Sequence, residues 1–227
     1  MKTLENLERE YKSRNADIKR TFLDCFERTF KELDSTSIDI NFSGTTTVSL
    51  LLVNKTIYSA NVGDSRAILI SCNKHGEWSS QPLSRDQKPD DPLEMQRILK
   101  CGGRVEAFKD YNGDPVGPAR VWLKHENIPG LAMARSIGDK VAAQVGVLSE
   151  PEIMEFQLTE EDKMIVLASD GVWEFLSNDN VMNLILPFYH KNQPELACEK
   201  VIKESVNWWK KVNFVRYFMV YKLILGG

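Results

Sequence analysis

The stretch KMIVLASDGVWEFLS, residues 163 to 177, runs from an apolar segment straight into an Asp-Gly pair and then a Trp. Residues 164 to 168 are all apolar, which predicts a buried strand ending at the rim of a sheet, with Asp170 emerging there. On its own, Asp-Gly is a turn dipeptide. A carboxylate delivered by a strand end also suits a hard metal, because Mg²⁺ and Mn²⁺ prefer carboxylate oxygens and leave other positions to water. Glu174 lies four residues on and projects near Asp170 if a helical turn begins at Gly171. The residues alone leave the turn and the ligand both open.

Working outward, the rest of the chain alternates between two periodicities. Ile18, Phe22, Phe26 and Phe30 recur every four residues with Leu23 and Leu33 beside them, predicting a helix with one buried stripe. From SGTTTVSLLLV (43 to 53) the pattern becomes β-rich, and TIYSANV and SRAILIS follow, separated by NK and GD turn signals. Three successive antiparallel strands are the simplest expectation. In DDPLEMQRILKCGG, Asp91 is placed as an N-cap, Pro92 at the first helical position and Glu94 as a capping-box partner, with Gly102 and Gly103 past the end. Residues 103 to 147 are rich in Gly and Pro and read as a flap-like loop with short strands at RVEAF and GLAMA. Strands resume at EIMEFQL and KMIVLAS, joined by TEED. Ser177 then caps a helix expected to end before Pro187, and Asn192, Pro194 and Glu195 open a longer one to about Trp209. Strands in succession with helices grouped at intervals argue an α+β layered sandwich in one domain spanning 1 to 227.

Composition narrows the function class. The 227 residues are 42% hydrophobic and 27% charged with a net charge of -3, which is ordinary for a globular protein and offers no basic footprint for nucleic acid. The four cysteines form no C-x-x-C and the opening MKTLENLEREYK has no apolar h-region, so the expectation is an intracellular, cytoplasmic or nuclear protein with unpaired thiols. FVRYFMVYKLIL, 214 to 225, includes Arg216 and Lys222, is too short to span a bilayer, and reads as a strand; no membrane partner is expected.

The remaining acidic residues have mostly local explanations. Asp90 and Asp91 read as caps, and Gly63-Asp64 as a hairpin turn. Asp86 in LSRDQKP has no such duty, which leaves it as a candidate ligand. His75, His125 and His190 stand apart, with no zinc spacing. Neither a G-x-S-x-G elbow nor a phosphate-binding glycine loop occurs.

In order along the chain stand SGTTTV (43 to 48), ANVGDSRA (60 to 67), LSRDQKP (83 to 89), GPARVW (117 to 122), GLAMARSIGD (130 to 139), EPEI (150 to 153) and LASDGVWEFLS (167 to 177). Across residues 43 to 186 this set resembles the metal-dependent protein serine/threonine phosphatases of the PP2C (PPM) type. The resemblance implies a sandwich of two antiparallel sheets flanked by helices, a phosphoprotein substrate, and a binuclear Mg²⁺ or Mn²⁺ site. There, two ions about 3.5 to 4 Å apart activate water for in-line attack, without a covalent phosphoenzyme. On this resemblance Asp170 matches a metal ligand, with Gly171 beside it in the candidate set. Asp86 and Glu174 match the pair at a more weakly held third metal, Glu174 standing where the family usually has Asp. Gln87 replaces the usual His of that Asp-His-Lys-Pro motif.

The departures are as informative. The family's opening Arg and Glu-Asp pair, and its DGHGG whose Asp bridges both metals, do not occur; Asp170-Gly171 is the only Asp-Gly in the sequence. Residues 1 to 42 look like the helices that follow that region, so the expectation is an N-terminally truncated sandwich. Glu204 is the final carboxylate, where the family supplies a further acidic ligand. One carboxylate cannot hold two divalent ions side by side, since their repulsion needs a bridging anion and more negative ligands. The expectation is an incomplete ligand set with weak or no hydrolysis. Absent opening strands would also expose a sheet edge, favouring a partner chain or self-association. Three readings follow: a PP2C-type phosphatase represented by an incomplete chain, a non-catalytic pseudophosphatase that binds phosphoproteins or regulates, and another metal-dependent hydrolase sharing only the layout.

Overall fold

A computed structural model describes residues 18–211. The strand expected at 214 to 225 lies outside the described residues. Mixed helices and antiparallel sheets give the α+β fold expected, and the chain clusters into two compact units.

One unit comprises Leu50–Ser59, Ser65–Arg85 and the described residues from Met154 onward. Its centre is strand β4 (Arg66–Cys72), flanked by β11 (Asp162–Ala168) and β5 (Trp78–Pro82). Ala168 pairs with Arg66 and Cys72 with Trp78, both antiparallel. Ile68 and Ile70 on one face of β4 join Ala168, Val172, Leu176, Val181, Ile185 and Val201 in a single core. That core is completed by helices α4 (Asp170–Trp173), α5 (Asn178–Tyr189) and α6 (Pro194–Lys211). Ala67 and Leu69, on the other face of β4, are buried as well. A strand buried on both faces explains why AILI, 67 to 70, reads as a continuous apolar run; each such Ile or Leu contributes roughly 1.5–3 kcal/mol.

The other unit contains the described residues through Ser49, Ala60–Asp64 and Asp86–Ile153. Helix α1 (Ile18–Asp34) buries Ile18 and Phe22 as the stripe predicts, while Phe26 and Phe30 are half-buried and Leu23 is exposed. A short strand, β1 (Gly44–Thr45), pairs with β9 (Ile137–Gly138). Helix α2 (Pro92–Lys100) is capped by Asp91, whose carboxylate accepts from the N–H groups of Leu93 and Glu94 at 3.0 and 3.3 Å. The Gly- and Pro-rich segment folds into a three-stranded antiparallel sheet of β6 (Arg104–Lys109), β7 (Pro115–Trp122) and β8 (Pro129–Leu131). Ile98, Val121, Ala134, Ala142 and Val147 form the apolar core here, the short helix α3 (Lys140–Ala143) supplying Ala142.

A third sheet, of order β10 (Glu152–Gln157), β3 (Thr56–Val62), β2 (Thr47–Val53), has residues in both units. Its membership corrects the expectation of three successive paired strands. β2 and β3 share this sheet, but β4 belongs to the other, so Gly63-Asp64 is a sheet-to-sheet passage and not a hairpin turn. Local signals could not separate the two, because both need the same tight turn. Gly63 is obligatory there: its φ is 99° and a Cβ would meet Thr46 Cγ2 at 2.3 Å.

Three further readings change. Pro187 does not stop α5, which runs to Tyr189. The proline sits in the last turn, and the carbonyl left without its helical N–H belongs to Asn183, an exposed residue open to water. Glu94 does not complete a capping box, because its carboxylate is drawn to arginines. The strand read at GLAMA is confined to Pro129–Leu131, and its long partner β7 gave no period-2 signal through its Gly and Pro residues.

Candidate functional site

The turn that follows β11 is built by indole rings. Ser169 is extended, and Asp170 opens α4. The buried Trp173 folds back so that its indole N–H donates to the carbonyls of Ala168 at 2.8 Å and Arg66 at 3.1 Å. The Arg66 guanidinium lies 5.0 Å from that ring's centroid and donates to Asn178 Oδ1 at 2.7 Å, which fixes both partners. From α6, the buried Trp209 donates its indole N–H to the Gly171 carbonyl at 2.7 Å. Asp170 itself is half-buried and Glu174 exposed, and the Glu174 N–H donates to the Asp170 carbonyl at 2.9 Å. The two carboxylates therefore share one helical turn, as their spacing predicts.

Asp86, half-buried, stands in the other unit, and the structure does not place it on the turn that carries Asp170 and Glu174. Its neighbour Gln87 is fully buried and fully engaged. The side-chain amide donates to the Asn61 carbonyl at 3.1 Å and accepts from the Gly63 N–H at 2.6 Å. Its backbone N–H donates to the Gly63 carbonyl and its own carbonyl accepts from the Ala134 N–H. An amide has no proton to give near neutral pH, so Gln87 splices loops together and does no acid–base work. Next to it, Lys88 Nζ lies 2.6 Å from Oδ2 of Asp64, a buried carboxylate at 4% exposure. Asp64, expected to serve only a turn, is half of a charge-assisted pair.

Two further clusters were not legible in the sequence. Glu94, 1% exposed, is gripped by Arg135, whose Nη2 is 2.8 Å from Oε1, and by Arg97, whose Nη1 is 2.7 Å from Oε2. Both guanidiniums also hold carbonyls: Arg97 those of Gly146 and Ala134, Arg135 that of Glu150. Burial opposes ionisation of Glu94, but the hydrogen bonds and charge of Arg135 and Arg97 outweigh it and hold the carboxyl below the usual range. The Glu94–Arg97 spacing is one helical turn and could have suggested the pair; Arg135, 41 residues away, gave no local signal. In the second cluster, buried Asp139 adopts a left-handed φ of 47°, accepts from Ser136 Oγ at 2.6 Å, and donates its N–H to the Ser43 carbonyl at 2.8 Å. Gly44 must be glycine, because a Cβ would stand 2.0 Å from Asp139 Oδ2.

The quoted motifs thus meet in pairs: SGTTTV against SIGD, ANVGD against RDQKP, and DGVW against SRA. What they assemble does not fit a binuclear metal centre. Among the described residues no group of three or more His, Cys, Asp or Glu could hold a metal ion. The Gly171 carbonyl, a candidate ligand, already accepts a short indole hydrogen bond. A pair of divalent ions requires a bridging anion and several carboxylates, and Asp170 with Glu174 supplies neither number nor bridge. No described helix is long and apolar enough to cross a membrane.

A family model described as protein phosphatase 2C matches residues 2–209. Among curated proteins, the chain is 39% identical over 192 residues to probable protein phosphatase 2C 64 of Oryza sativa subsp. japonica, covering 82% of this chain and 43% of that protein. It is 44% identical over 190 residues to probable protein phosphatase 2C 52 of Arabidopsis thaliana, covering 83% and 39%. The chain therefore spans about two fifths of the length of these relatives. In fold it is similar to a serine-threonine phosphatase 2C from Toxoplasma gondii, with a TM-score of 0.72, 18% identity, and coverage of 90% of this chain and 66% of that one. It is also similar in fold to a sex-determining protein of C. elegans, with a TM-score of 0.66 and 20% identity over 88% of this chain and 48% of that one.

Proposed function

The chain belongs to the protein phosphatase 2C family, and from that premise we propose that it is part of a single PP2C-type domain acting on phosphoserine and phosphothreonine in proteins. The family match runs through both units, which supports reading 1 to 227 as one domain, with 103 to 147 as its flap. The observation that carries the reading is the Asp170 turn. Asp170 is half-buried at a strand end while Trp173, Arg66 and Trp209 fix the backbone around it, which supports reading it as a ligand held at a defined position. In this reading Asp170 contacts Mg²⁺ or Mn²⁺, and Asp86 and Glu174 are each weaker candidate ligands. The substrate is an intracellular phosphoprotein, cytoplasmic or nuclear.

The polypeptide of residues 1–227 hydrolyses phosphate weakly, because the described carboxylates cannot neutralise two divalent ions. The engaged Gly171 carbonyl and the buried Gln87 amide favour a second reading, a non-catalytic phosphoprotein-binding or regulatory module. A phosphothreonine-peptide assay in Mn²⁺ separates them. Slow turnover abolished by Asp170→Ala supports the phosphatase, whereas zero turnover with retained phosphopeptide binding supports the module.

A further inference from the structure

Divalent ions in a protein usually do structural as well as chemical work, pulling together loops whose carbonyls and carboxylates would otherwise repel or stay unpaired. In this chain those loops are already closed by protein groups. Gln87 bridges the Asn61 carbonyl and the Gly63 N–H through one buried amide, at 3.1 and 2.6 Å. Lys88 supplies a cation, 2.6 Å away, to the buried Asp64 carboxylate. At the other candidate position, the Trp209 indole N–H points at the Gly171 carbonyl from 2.7 Å, the oxygen a cation would approach.

We infer that protein groups hold the loops at the family's ion positions, so that the native fold of this chain is independent of divalent metal. The inference rests on reading Asp170 and Asp86 as those positions. Its physical content is that each loop meets its own electrostatic demand. The amide satisfies one donor and one acceptor, the ammonium offsets one carboxylate, and the indole satisfies one carbonyl. An added ion would have to displace one of these bonds or bind through too few ligands, and among the described residues no cluster of three offers itself. A ligand stabilises a fold only through its preference for the native state. An ion held through so few ligands binds too weakly at millimolar concentration to stabilise the native state measurably.

Thermal unfolding of the 227-residue chain, followed by circular dichroism without substrate, tests this in EDTA, in millimolar Mg²⁺ and in millimolar Mn²⁺. The expected result is one midpoint, the same within about 1 °C in all three. An ion at roughly 100 times its Kd would instead raise the midpoint by several degrees. A saturable rise of that size in Mn²⁺, lost in Asp170→Ala, overturns the inference. Gln87→His gives the second arm: it removes the amide bridge while offering an imidazole, and its lowered midpoint should be equal in EDTA and Mn²⁺. Restoration of that variant by Mn²⁺ would also overturn it. Turnover in the phosphopeptide assay judges the phosphatase reading separately, because melting without substrate reports only whether metal supports the fold.

Discussion

The two units fasten their motif loops by different means. In the unit that holds Asp86, the fasteners are buried ions and amides: Asp64 with Lys88, Glu94 between Arg97 and Arg135, and Gln87 across Asn61 and Gly63. In the unit that holds Asp170, they are indoles, with Trp173 and Trp209 donating to carbonyls and Arg66 lying over a ring. An indole brings its own apolar packing and only one polar atom, so it shapes a turn without adding charge beside it. Buried ion pairs fasten firmly but make each member dependent on the others. The first strategy neutralises the charges it buries; the second shapes its turn mainly through N–H donors on apolar rings.

The largest expected effect falls on the ionic side. Glu94→Ala leaves the partly buried guanidiniums of Arg97 and Arg135 without their carboxylate, and breaking such a network costs about 3–5 kcal/mol; urea unfolding should show it as a large fall in midpoint. Gln87→Leu keeps the volume but leaves the Asn61 carbonyl and Gly63 N–H without their amide, at about 1–3 kcal/mol for each buried group. Trp209→Phe removes one N–H donor and keeps most of the packing, so its cost is smaller, about 1–2 kcal/mol. If Trp209→Phe proved as damaging as Glu94→Ala, the contrast between the units would fail. The smallest effect is in acid. The Glu94 carboxyl is lower in the folded state than its ordinary 4.5, so its contribution is fully present above that value and fades as pH falls toward the folded one. Stability of the parent chain should decline below about pH 4.5, and the slope should be shallower in Glu94→Gln.

What the sequence disclosed followed from distance along the chain. The α2 cap, the Ser177 cap and the turn shared by Asp170 and Glu174 are contacts within four residues, so spacing alone carried them. The assignment of β3 and β4 to different sheets was hidden, because a strand's own residues record burial and not which strand lies beside it. β7 was hidden because Gly117 and Pro118 break its alternation, although its pairing with β6 holds it extended. Glu94 looked like a cap because its rival partner lies 41 residues away. For the site, the four-residue spacing of Asp170 and Glu174 was legible as one helical turn, and the sequence could not reveal that Gln87 had become a fastener.

The short seam between β1 and β9 has a consequence for how the chain reaches this state. Gly44 pairs with Gly138, Thr45 shares its carbonyl with a hydroxyl 91 residues away, and Lys140 meets Asp34 across 106 residues. Closing so large a loop carries an entropic cost that local contacts do not, so topology of this kind slows folding. The β6–β7 hairpin needs only its own few residues and can form early. During synthesis the seam must wait until Lys140 has left the ribosome, so until then the stretch around Gly44 lacks its partner strand and is exposed to chaperones and proteases.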